Sequence, residues 1–81
     1  MRTASQQLYD NAVEYLDLHP HENMKDALYY AMDLDRIWDG FLIEDEYVEF
    51  PGSIWMEDPD QELWMFFVDV DGKAMIEKER R

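Results

Sequence analysis

The chain reads as one α+β domain over residues 1–81: two N-terminal helices packed on a three- to four-stranded antiparallel β-meander. Three observations lead there. Apolar residues recur at three- and four-residue steps up to about residue 39, the mark of amphipathic helices. After Gly40 that spacing gives way to short apolar runs separated by Pro and Gly. Three Trp, five Tyr, four Phe and six Met supply large side chains. A chain this short buries only about 60–65% of its unfolded surface, so its core must be rich in such groups.

Leu8, Ala12 and Leu16, joined by Tyr9 and Val13, predict helix one over 5–17 with Ser5 as its N-cap. Asp10, Glu14 and Asp17 share its opposite side. Leu18-His19-Pro20-His21 ends it, because proline disfavours helix at the preceding residue. Asn23 is the next cap. Met24, Ala27, Leu28, Ala31, Leu34 and Trp38 predict helix two over 24–39, stopped by Gly40. Asp33 and Asp35 form helix weakly, so a kink is expected near Asp33.

Phe41-Leu42-Ile43 is apolar. Tyr47, Val48 and Phe50 predict a strand within 46–50, ended by Pro51-Gly52. A second strand falls at 53–56, and Asp58-Pro59-Asp60-Gln61 reads as a turn. Residues 63–70 are the clearest strand, apolar almost without interruption. Asp71-Gly72 is the strongest hairpin signal, and 73–79 returns with Ala74 and Ile76 on one face. Trp38, Trp64 and Phe66 belong to the core. Tyr29 and Tyr30 are adjacent and cannot face it equally, and Trp55 and Trp64 fall on different sheet faces.

Most chemistries find no support. With no cysteine there are no disulfides and no thiolate metal sites. His19 and His21 flank a proline in a connector and lack the further ligands zinc needs. Asp69-Val70-Asp71-Gly72 fails as a calcium loop, because Phe67 and Lys78 would fall where carboxylates are required. The three glycines stand singly, which excludes a phosphate loop. Ser5 and Ser53 have no supporting nucleophile motif. The expectation is a non-enzyme with no cofactor and no metal. No apolar run nears the ~20 residues of a membrane span, and residues 1–7 lack a signal-peptide core. The compartment read from this is cytoplasmic, that of the host if the chain is phage-encoded.

Charge is the dominant signal. Twenty Asp/Glu stand against seven Lys/Arg, a net of −13. Between Asp10 and Asp71 lie eighteen acids and two bases, Lys25 and Arg36, while the last ten residues carry four bases and two acids. Such a body repels DNA, RNA and anionic lipid, because binding phosphate requires cations that displace counterions. It attracts a basic protein surface and speeds the encounter. The densest acidic segment is Asp33, Asp35, Asp39, Glu44, Asp45, Glu46 and Glu49, with a second cluster at Glu57, Asp58, Asp60 and Glu62. These residues, with Tyr29, are the candidate partner-binding set. The alternative is an interaction module or homodimer that uses exposed aromatic residues.

In size, lack of cysteine and acidic α+β character the whole chain resembles the DNA-mimic inhibitors carried by phages and plasmids. That class includes anti-restriction proteins, anti-CRISPR proteins and uracil-DNA glycosylase inhibitor. The resemblance implies occlusion of an enzyme's nucleic-acid-binding site. Tyr29-Tyr30, Leu34-Asp35, Trp38-Asp39 and Val48-Glu49-Phe50-Pro51 are also similar to the ribonuclease-binding stretch of the barstar family. That similarity implies that Tyr29, Asp35, Trp38 and Asp39 meet a basic active site. It is confined to residues 29–51. Residues 52–81 read as strands where that family has helices.

Overall fold

A computed structural model describes residues 2–79. Two helices precede a four-stranded antiparallel sheet, an α+β fold. The helices are α1, Ala4–Leu18, and α2, Met24–Leu34, followed by a 3-10 turn at Arg36–Trp38. The strands are β1, Leu42–Ile43; β2, Gly52–Glu57; β3, Leu63–Val68; and β4, Ala74–Lys78, lying side by side in that order.

Helix α1 starts one residue before the expected range, because Thr3, not Ser5, is its N-cap and accepts from the Gln6 N–H. Ser5 is buried and donates to the Ala74 carbonyl at 3.1 Å. Its neighbour Gln6 accepts from the Ala74 N–H and donates to the Gly72 carbonyl, both at 3.0 Å. The first turn of α1 is thereby fastened to the start of β4. Asn23 caps α2 as expected, accepting from the Asp26 N–H at 2.8 Å. Helix α2 stops at Leu34, short of the expected 39, where Asp35 turns extended (φ −115°, ψ 100°). The weak helix formers Asp33 and Asp35 end the α-helix there, and Arg36–Trp38 continues as the tighter turn.

The strand expected within 46–50 is absent, and β1 lies earlier, at Leu42–Ile43. Leu42 pairs with Glu57 and Ile43 with Met56, and the Glu44 N–H adds a bond to the Trp55 carbonyl. The next ladder position is taken by a side chain: Asp45 Oδ2 accepts from the Trp55 N–H at 2.6 Å. With that donor satisfied, the chain leaves the sheet and returns as a loop. Val48 is buried, and Phe50 packs edge-on against Tyr9 and Phe66. The alternation of Val48 and Phe50 records side chains plugging the core.

The two hairpins share one design. Asp58 Oδ1 accepts from the N–H groups of Asp60 and Glu62, and Asp69 Oδ1 accepts from those of Asp71 and Lys73. The left-handed position of each turn falls on Gln61 (φ 64°) and Gly72 (φ 80°), as in three-residue hairpin loops. The strands on either side run 63–68 and 74–78, trimmed from 63–70 and 73–79 because Asp69 and Lys73 belong to the turn.

Period-two alternation sets the core. Ile54, Met56, Phe66, Val68 and Ala74 face the helices and are buried with Leu8, Ala12, Ala27, Leu28 and Ala31. Trp38 joins them at the end of α2 and meets Phe41 edge-on. Trp64 is half-buried on this inner face, and Trp55 is exposed on the outer one. Tyr29 packs on the core while Tyr30 is exposed and stacks on Tyr15.

Candidate functional site: a carboxylate-rich end of the sheet

The acids expected to bind a partner fall into three stretches of chain, and the fold brings parts of all three together. The turn after Trp38 lies against the β2–β3 turn. A Cβ at Gly40 would meet the Pro59 ring, and Gly40 itself has φ +82°, so both space and backbone call for glycine there. This places Asp39 beside Asp58-Pro59-Asp60. The β1–β2 register then sets Glu44, one residue beyond β1, diagonally from Glu57 on the outer face. Asp39, Glu44, Glu57, Asp58, Asp60 and Glu62 therefore gather at one end of the sheet.

The electrostatics there are uneven. Glu57 can share a hydrogen bond with Glu44 and holds the Glu44 carboxyl above the ordinary carboxylate range. Some loss of water around the exposed carboxyl and the charges of Glu57 and Asp45 push the same way. Asp58 moves oppositely. The Trp64 indole N–H, donating to its Oδ2 at 2.8 Å, and the N–H groups of Glu62 and Asp60 hold its carboxyl below that range. Lys78 is a cation at this end. It pairs with Glu62, which raises its pKa, and stands 5.8 Å from the centre of the Trp64 ring. Arg2–Asp10 and Lys78–Glu62 are the two ion pairs formed among the described residues.

Several expected site residues have structural work. Asp58 holds a turn, Asp45 caps the β2 edge, and Glu62 is paired. The Tyr29 hydroxyl accepts from the Ile43 N–H at 2.9 Å and ties β1 to α2. Asp33 and Asp35 stay at the C-terminal end of α2, where no base stands in the last turn and the helix dipole adds negative potential. Glu46 and Glu49 follow the loop back along β2. Glu49 ends beside Gly52, five residues and about 17 Å along the strand from Glu57.

The sheet's outer face adds residues that charge reasoning passed over. Cross-strand register aligns Trp55, Met65 and Glu77 in one row and Ser53, Phe67 and Met75 in the next. Trp55 is 37% exposed and Met75 39%. The signal was in the sequence: β3 is apolar at all six positions, whereas a strand with one wet face alternates.

The molecule so described is a two-layer α+β domain with an acidic end and an apolar open sheet face. Compared with known proteins, the chain matches no family model, no curated protein and no solved structure. Among the described residues no helix is long and apolar enough to cross a membrane.

Proposed function

We propose that this protein is a stoichiometric inhibitor that binds and blocks the basic, nucleic-acid-binding surface of a partner protein. This is DNA mimicry of the anti-CRISPR or anti-restriction kind, without catalysis. The observation that carries the reading is the gathering of Asp39, Glu44, Glu57, Asp58, Asp60 and Glu62 on one sheet end, where Lys78 pairs with Glu62. Neighbouring strands stand about 4.8 Å apart and successive same-face residues about 6.7 Å. Glu44 and Glu57, diagonal neighbours across the β1–β2 ladder, are therefore held within one such spacing and one such step of each other. The backbone beneath them is fixed by the Asp58-braced turn and the Tyr29 anchor, so little ordering is needed on binding. Net charge steers the encounter, and the fixed array supplies the contacts.

The test is capture of a basic protein on the immobilised chain at low and high salt, followed by competition. The captured protein should release bound DNA or RNA when one equivalent of the chain is added. Replacing Asp39, Glu44, Asp60 and Glu57 by Asn or Gln should weaken capture and remove most of its salt dependence. A partner held equally well by this variant at both salt concentrations would refute the reading.

A further inference from the structure

The outer face of the sheet is an apolar strip between two acidic margins. Its middle is Trp55, Met65, Phe67 and Met75, contributed by β2, β3 and β4. The row through its centre runs Glu44, Trp55, Met65, Glu77, with a carboxylate at each end and apolar side chains between. Glu57, at the end of β2, lies diagonally from Glu44 across the β1–β2 ladder. Within the strands the charged residues on this face are Glu57 and Glu77, and neither is a base.

The dimensions select an occupant. Glu44 and Glu77 are three strand spacings apart, about 14 Å. An α-helix with its side chains is about 10–12 Å across. A helix lying along the strands fits between the margins, covers the strip as the third layer of an α/β/α arrangement, and brings its flanking side chains to the carboxylates. Six strand residues span about 20 Å, the length of roughly 13 helical residues. A second copy of the chain fits poorly. Face-to-face pairing would bring Glu44, Glu57 and Glu77 from both copies into one interface with no base from the strands to offset them.

We propose that this face seats one amphipathic α-helix of the partner, with its apolar stripe on Trp55, Met65, Phe67 and Met75 and its flanking Lys or Arg at Glu44 and Glu77. The proposal rests on the basic-partner reading above and names the element recognised. Helix docking supplies salt-insensitive affinity beside the electrostatic attraction. It also relieves Glu44, whose carboxyl is held up by its neighbour Glu57.

Two synthetic peptides of about 14 residues test it. Both have the same leucines and lysines. One is ordered so that the leucines form a stripe at helical spacing, and the other is permuted so that they do not. The chain is first sized by light scattering, and then each peptide is titrated by fluorescence anisotropy. The striped peptide is expected to bind about tenfold or more tighter than the permuted one. Trp55→Ser, or Met75→Ser as the second variant, each checked by circular dichroism, should abolish that ratio. Asp33→Asn with Asp35→Asn, off this face, should weaken both peptides and leave the ratio intact. Equal binding of the two peptides, or a ratio untouched by both outer-face variants, overturns the helix seat while the basic-partner reading stands. Binding of neither peptide at low salt overturns both. A concentration-dependent dimer dissociated by Trp55→Ser overturns the seat by giving the face to a second copy.

Discussion

The two faces of the sheet are built from the same four strands yet differ in what they do. The inner face, with Ile54, Met56 and Phe66 at 0–1% exposure, is sealed by the helices. The outer face carries side chains of equal bulk, Trp55, Met65 and Phe67, and leaves them half-buried or exposed. Area removed from water is what stabilises. The inner face therefore holds the fold, and the outer one keeps its apolar surface for contact with something else. Charge follows the same division. Lys78 lies on the inner parity of β4, over Trp64, while Glu57 and Glu77 occupy the outer parity.

Substitutions can break this contrast. Phe66→Ala should have the largest effect, about 3–5 kcal/mol in urea unfolding, because it opens a cavity in a fully buried site. A cost below about 1 kcal/mol would mean the inner face is not the core. Tyr29→Phe should cost about 1 kcal/mol, since it orphans the Ile43 N–H that hangs β1 on α2. Amide exchange of Ile43 should rise with it, and unchanged protection would place the anchor elsewhere. Gln61→Gly should stabilise by about 0.5–1 kcal/mol, because Gln61 sits at φ 64° where its counterpart in the other hairpin is Gly72.

The smallest effect is electrostatic. The folded state holds the Glu44 proton to higher pH than the unfolded chain does. Stability on that account falls as pH rises from the ordinary carboxylate range through the raised value. Glu57→Gln removes the cause, so its melting temperature should exceed that of the parent at neutral pH and converge with it in acid. Asp58 has the opposite sign. Its carboxyl is held low by Trp64 and the turn amides, and its stabilising effect disappears as pH falls through the lowered value.

Short-range signals were legible. Helix α1, the Asn23 cap and both hairpin turns follow from residues within a few positions of one another. What the sequence hid depends on distant partners. Ser5 serves Ala74, 69 residues away, and so leaves capping to Thr3. The pattern at Val48 and Phe50 is that of a strand, but β2 already has its edge partners in Leu42, Ile43 and the Asp45 side chain. The acidic segments could be counted in advance. Their meeting required the Gly40–Pro59 contact and the β1–β2 register, which no local pattern contains.

The account depends on carboxylates that the folded chain holds close together without neutralising. The most direct test is the melting temperature of the isolated protein between about 0.01 M and 0.1 M sodium chloride, which shortens the Debye length from about 30 Å to about 10 Å. Screening should relieve the repulsion and raise the melting temperature steadily. Asp39→Asn with Asp60→Asn should flatten the rise. A melting temperature that stays level or falls across this range would show that the carboxylates are matched within the fold, and would contradict the account.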